Sequence, residues 1–118
     1  MQRILVIDDE PDFASLLRRV GEGLGHSVKI AVDASDFKDL CKTFDPTIIV
    51  LDIVMPEIDG IELIQWLAQN RSAAKIIAIS GANPLYSQHA KVIGETHRLP
   101  VITLGKPISL ADLEAAFS

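Results

Sequence analysis

Apolar residues in this chain gather in short runs that stop at polar residues, and the runs alternate with stretches whose apolar positions recur every three or four residues. Ile4-Leu5-Val6-Ile7, Ile48-Ile49-Val50-Leu51, Ile76-Ile77-Ala78-Ile79 and Val101-Ile102-Thr103-Leu104 are short, rich in β-branched residues and bounded by turn signals. The first three read as strands covered on both faces and the fourth as a further short strand. Ser27-Val28-Lys29-Ile30-Ala31-Val32 alternates instead, which predicts a half-exposed strand near a sheet edge. Between the strands, helical spacing places Phe13, Leu16, Leu17, Val20 and Leu24 on one face of a first helix that opens at Pro11 and stops at Gly23 and Gly25. A second helix, about 34–43, turns Phe37, Leu40, Cys41 and Phe44 inward, and a third, from Gly60 to about Asn70, turns in Ile61, Ile64, Leu67 and Ala68. A fourth, from Pro84 to about Glu95, is less regular (Leu85, Ala90, Val92, Ile93), and a last one opens at Ser109 and buries Leu110, Leu113 and Phe117. Five strand–helix units predict one α/β domain over 1–118, a doubly wound parallel sheet with helices on both faces.

The strand ends carry the chemistry. In open parallel sheets the ligand crevice lies beyond the carboxyl ends of the strands. Here those ends supply Asp8 and Asp9, then Asp52, Ser80 and Lys106. Each has an ordinary explanation by itself: a helix cap, a turn opener, a Ser-Gly turn pair, a solvated charge. Their joint arrival on one rim is harder to explain that way. Two carboxylates about 4 Å apart repel by roughly 4 kcal/mol at an effective dielectric near 20, so a cation must join them. Magnesium suits an oxygen-only set that shares the ion with phosphate, whereas zinc does not, because no His or Cys stands at these ends. An Asp carboxylate left over from charge balance is a competent acceptor of a phosphoryl group.

Composition narrows the class. At 118 residues, 48% apolar and 23% charged, the chain has the balance of one folded domain. Sixteen acidic against eleven basic residues give a net charge of −5, which argues against a nucleic-acid surface. The single Cys41 permits no internal disulfide and reads as a buried thiol in a reducing compartment. No stretch approaches the roughly 20 apolar residues of a membrane span and no signal peptide is evident, so a soluble, cytoplasmic protein is expected.

Ile7-Asp8-Asp9-Glu10, Asp52 with Met55-Pro56 and Asp59-Gly60, Ser80-Gly81 and Lys106-Pro107 together resemble the CheY-like receiver domain of two-component response regulators, over essentially the whole chain. The resemblance implies a flavodoxin-like strand order 2-1-3-4-5. It implies that Asp52 is the phosphoacceptor, supplied by a sensor histidine kinase or a histidine phosphotransfer protein. Mg²⁺ would be held by Asp9, Asp52 and the backbone carbonyl of Val54, with Asp8 acting through water. Ser80 and Lys106 would contact the phosphoryl group, and the Lys106-Pro107 bond would be cis. The chain would then be a stand-alone switch without an output domain, acting on a downstream protein partner, or else the receiver of a longer protein, with homodimerisation an option. Thr103 stands where receivers commonly carry an aromatic residue that reports phosphorylation, and Tyr86 is a candidate substitute. Val54 and Ala82 occupy the two positions that tune hydrolysis in the family; both are apolar, which predicts a long-lived phosphorylated state. Two other readings compete. One is a receiver-like scaffold that works without phosphorylation. The other is a Mg²⁺-dependent phosphatase with an aspartyl nucleophile, but such enzymes separate two aspartates by one residue at the first strand, and Asp8 and Asp9 are adjacent.

Overall fold

In the computed structural model, which describes residues 1–53, 55, 58–80 and 84–118 (for 84–87 and 89 the backbone only), the run predicted to be central is buried at every position. The elements are β1 Arg3–Ile7, α1 Pro11–Gly23, β2 Ser27–Ala31, α2 Ala34–Thr43, β3 Ile48–Asp52, α3 Gly60–Gln69, β4 Lys75–Ser80, α4 Pro84–His97, β5 Val101–Gly105 and α5 Leu110–Ala116. All strand pairs are parallel, in the order β2-β1-β3-β4-β5. The expected fold class and strand order are therefore present.

Successive strand residues point to opposite faces, and the central strands are apolar on both because each face has its own core. Leu5, Ile7, Ile49, Leu51, Ile76 and Ala78 point to the side covered by Phe37 of α2, Ile64 and Leu67 of α3 and Ala90 of α4. Ile4, Val6, Ile48, Val50, Ile77 and Ile79 point to the other side, under Leu17 of α1 and Leu113 and Phe117 at the C-terminal end. The edge position of β2 follows from its alternation: Val28 and Ala31 are buried and Lys29 is exposed.

The helix faces need correction. In α1 the buried positions are Ala14, Leu17 and Gly21, while Leu16 and Leu24 are 37% and 42% exposed. The helix seats through its small residues: a Cβ on Gly21 would lie 2.7 Å from Cγ2 of Val28. Counting large apolar residues therefore rotates the predicted face away from the true one. Leu110 and Val92 are likewise exposed, at 58% and 56%, because the core is reached from α5 by Leu113 and Ala116 and from α4 by Ala90 and Ile93. Cys41 is half-buried rather than buried, and desolvation pushes its thiol up to about 11, which keeps it protonated at neutral pH. Among the described residues no helix is long and apolar enough to cross a membrane.

Among the described residues, side-chain caps start three helices. Asp33 accepts from the Asp36 amide, Asp59 from those of Ile61 and Glu62, and Ser109 from that of Asp112. Asp33→Ala should lower stability by about 1 kcal/mol, since α2 then begins with an unmet amide. Urea midpoints compared with the parent at unchanged slope test this, and an unchanged midpoint would remove the cap from the account.

Candidate functional site

Strand register assembles the rim. Ile7 pairs with Leu51, so the next residues outward, Asp8 and Asp52, stand side by side. Asp52 pairs with Ile79, and Ser80 pairs with Gly105. The Lys106 amide then donates to the Ser80 carbonyl at 3.0 Å, carrying the β4–β5 ladder one residue past the strands. Asp8, Asp9, Asp52, Ser80 and Lys106 are thus all placed at the carboxyl edge of the sheet, as the sequence predicts. Asp52 and Ser80 are buried, each 5% exposed, and are the buried polar residues of the described chain.

Carboxylate oxygens of Asp8, Asp9, Glu10 and Asp52 lie within 4.8 Å of one another. Lys106 reaches into this group, with its Nζ 3.4 Å from Oδ2 of Asp52 and 2.9 Å from Oε1 of Glu10. Helix capping accounts for little of the acidity. Oδ1 of Asp8 accepts from the Glu10 amide at 2.8 Å, a local turn, and Glu10 itself occupies the N-cap of α1 without a side-chain cap bond. Oδ2 of Asp8 is buried and has no hydrogen-bond partner among the described residues. An unmet buried acceptor costs roughly 1–3 kcal/mol, so this oxygen fits a site built for a cation.

Burial, the largest influence, raises the Asp8 carboxyl to about 6; the Glu10 amide and Lys106 pull it down, and the charges of Asp52 and Asp9 push it further up. For Lys106, burial disfavours the charged form, but the hydrogen bond to Glu10 and the fields of Asp8 and Asp52 outweigh it and raise the ammonium above its ordinary value. The lysine is therefore a fixed positive charge. Asp8 and Asp9 also wall one end of an open cavity of about 620 Å³ whose apolar lining includes Pro11, Ile30, Met55 and Ile58. The site is accessible from that side.

The Lys106-Pro107 bond is cis, as expected. Thr103 is half-buried in β5 opposite Ala78. Val54, Ala82 and the side chain of Tyr86 lie outside the described residues. Sequence reasoning missed two contributors. Glu10 enters the sequence reading as part of the Ile7-Asp8-Asp9-Glu10 motif without a role of its own, and Phe13 as a core residue, yet the Lys106 ammonium sits 2.9 Å from the Glu10 carboxylate and 4.8 Å from the centre of the Phe13 ring. Their spacing of three, which puts both on one side of the first turn of α1, was the available signal.

The start of α3 is pressed against the end of β3. The Gly60 amide donates to the Ile53 carbonyl at 3.2 Å. A Cβ at Gly60 would lie 2.6 Å from the Asp52 carbonyl oxygen and from Cα of Ile53.

Residues 4–118 match the family model of the response regulator receiver domain. The response regulator MprA of Mycolicibacterium vanbaalenii is 32% identical over 114 residues, which is 96% of this chain and 47% of that protein. The alkaline phosphatase synthesis transcriptional regulatory protein PhoP of Bacillus subtilis is 32% identical over 93 residues, covering 79% of this chain and 38% of that protein. The chain thus spans about half the length, or less, of these curated relatives. Among solved structures, the signal receiver domain of a response regulator from Bermanella marisrubri is 34% identical with a TM-score of 0.83, covering 94% of this chain and 90% of that one. A receiver domain of a DNA-binding response regulator from Colwellia psychrerythraea is 27% identical with a TM-score of 0.84, covering 98% and 94%. A parallel sheet of order 2-1-3-4-5 with acids, hydroxyl and ammonium on its carboxyl edge, matched along nearly its whole length, places this chain in the receiver domain family of two-component response regulators.

Proposed function

We propose that residues 1–118 form one receiver domain in which Asp52 accepts a phosphoryl group from a phosphohistidine of a sensor kinase or phosphotransfer protein in the cytoplasm. The observation that carries this reading is the buried Asp52 carboxylate, 3.4 Å from a fixed ammonium and inside a cluster of acids with one unmet buried oxygen. An Asp52 oxygen forms a bond to phosphorus as the phosphorus–nitrogen bond to the donor imidazole breaks, and the electron pair leaves with the imidazole. Lys106 neutralises charge on the phosphoryl oxygens and the Ser80 hydroxyl donates to one of them. Asp8, Asp9, Asp52 and the Val54 carbonyl are the residues that would hold Mg²⁺, which supplies further neutralisation of the transferring group. The phosphorylated state then shifts a two-state equilibrium read by a downstream protein.

Incubation with Mg²⁺ and a small acyl-phosphate donor should add one phosphoryl mass to the chain, and a chelator should prevent it. Absence of the adduct in folded protein would favour a scaffold that works without phosphorylation. Steady hydrolysis of phosphomonoesters would instead favour the phosphatase reading.

The raised Asp8 carboxyl gives the site a pH dependence. Because the folded state holds this proton more tightly than the unfolded chain, the metal-free domain loses this contribution to stability as pH rises from about 4 through about 6. The deprotonated carboxylate is also the form that accepts a cation. Millimolar Mg²⁺ should therefore raise the thermal midpoint clearly at pH 7.5 and much less at pH 5. Equal stabilisation at both pH values would take Asp8 out of the metal site.

A further inference from the structure

Three groups converge on one ammonium. The Lys106 side chain is 24% exposed and meets Glu10 at 2.9 Å, Asp52 at 3.4 Å and the Phe13 ring at 4.8 Å. Two of these partners belong to the start of α1, Glu10 as its N-cap and Phe13 in its first turn, and the third is the phosphoacceptor candidate. At 2.9 Å the Glu10 contact is a charge-assisted hydrogen bond, whereas 3.4 Å to Asp52 is a longer ion pair. A cation over an aromatic face is held there by the ring's quadrupole, so Phe13 adds a second contact from the start of α1. The resting position of Lys106 is thus set mainly by α1.

We propose that Glu10 is a positioning residue that keeps Lys106 on the α1 side in the resting domain and must yield the ammonium when a phosphoryl group occupies Asp52. This rests on the phosphoacceptor reading above. The phosphoryl oxygens compete with Glu10 for one ammonium, so the Glu10 contact weakens the site's grip on a phosphoryl group by the free energy of the contact it gives up. Glu10 is 61% exposed, which keeps that contribution modest.

Two variants separate positioning from charge. Glu10→Gln removes the charge and the ion pair together. Glu10→Asp keeps the charge but withdraws it by one bond, about 1.5 Å, which takes it out of hydrogen-bond reach of Lys106. The probe is beryllofluoride, a phosphoryl analogue, titrated with saturating Mg²⁺ and followed by fluorine NMR, with Mg²⁺ affinity measured separately by calorimetry. Both variants should bind the analogue about twofold to fivefold more tightly than the parent, the range of a largely exposed ion pair. Glu10→Asp, which keeps the charge, should hold its Mg²⁺ affinity within about twofold of the parent, a factor worth roughly 0.4 kcal/mol. Glu10→Gln, which removes a charge from the acidic cluster, should bind Mg²⁺ more weakly.

Tighter binding by Glu10→Gln alone, with Glu10→Asp like the parent, would show a charge field rather than positioning and overturn the inference. Unchanged or weaker analogue binding in both would overturn it as well, and so would a large loss of Mg²⁺ affinity in both, which would make Glu10 a metal ligand. If the parent takes up no beryllofluoride, the phosphoacceptor reading falls and the inference with it. If the parent binds the analogue and the variants do not differ from it, only the inference falls.

Discussion

Asp52→Asn should abolish phosphorylation by a small acyl-phosphate donor while leaving the domain folded. The amide keeps the shape of the side chain but loses the nucleophilic anion, and removing a nucleophile lowers a group-transfer rate by several orders of magnitude. The fold is expected to survive because Asp52 stands among Asp8, Asp9 and Glu10 with oxygens within 4.8 Å, so neutralising one of four acids relieves repulsion in the cluster. Lys106 keeps its shorter contact to Glu10. Intact mass with donor and Mg²⁺, beside a thermal scan, checks both halves. A phosphoryl adduct on the Asn variant at the parent rate would mean that another residue is the acceptor. Loss of the adduct together with loss of the fold would leave the role to the chelator control and to mapping the adduct in the parent chain.

Gly60→Ala should cost about 2–3 kcal/mol and lower the thermal midpoint by roughly 10 °C in a domain of this size. The added methyl would meet backbone, the Asp52 carbonyl oxygen and Cα of Ile53, each 2.6 Å away. Backbone does not rotate aside as a side-chain tip does. Either α3 lifts from the sheet, separating Ile61, Ile64 and Leu67 from their core, or the end of β3 moves and Asp52 with it. Asp59 makes the second escape harder, because its carboxylate holds the first turn through the Ile61 and Glu62 amides. Chemical denaturation gives the stability change, and the rate of adduct formation should fall in the same variant. Parent-like stability would show that α3 can shift at little cost and that the close approach is not required for the fold.

The readable part of this protein was the alternation of its strands and helices and the membership of its rim, while the strand order came with the family resemblance. A strand covered on both faces has no reason to alternate, so Ile48-Ile49-Val50-Leu51 announces a central strand, while Ser27-Val28-Lys29-Ile30 announces an edge. Parallel strands joined by helices all point one way, and any polar residue closing such a run must reach the same edge. That alone carried Asp8, Asp9, Asp52, Ser80 and Lys106 to one place, whatever the separations between them along the chain. The family motif added the expected roles, because those residue types recur in that order.

Distances, orientations and clearances were not readable, because they are set by packing between elements that sequence pattern treats one at a time. Leu16 and Leu110 have the hydropathy of core residues and lie exposed, since Gly21 and Ala116, which a count of large side chains overlooks, are what let α1 and α5 approach the sheet. The unmet Asp8 oxygen exists only because the other Asp8 oxygen is turned to the Glu10 amide while the surrounding chain excludes solvent. Glu10 and Lys106 are 96 residues apart, and no local pattern connects them. Sequence by itself determined the alternation of strands and helices, the β2 edge, the central β3 and which residues crown the sheet, but not that the half-exposed β5 closes the other edge. Only the tertiary structure decided that Lys106 rests nearer Glu10 than Asp52, because that choice depends on where the first turn of α1 sits against the end of β5.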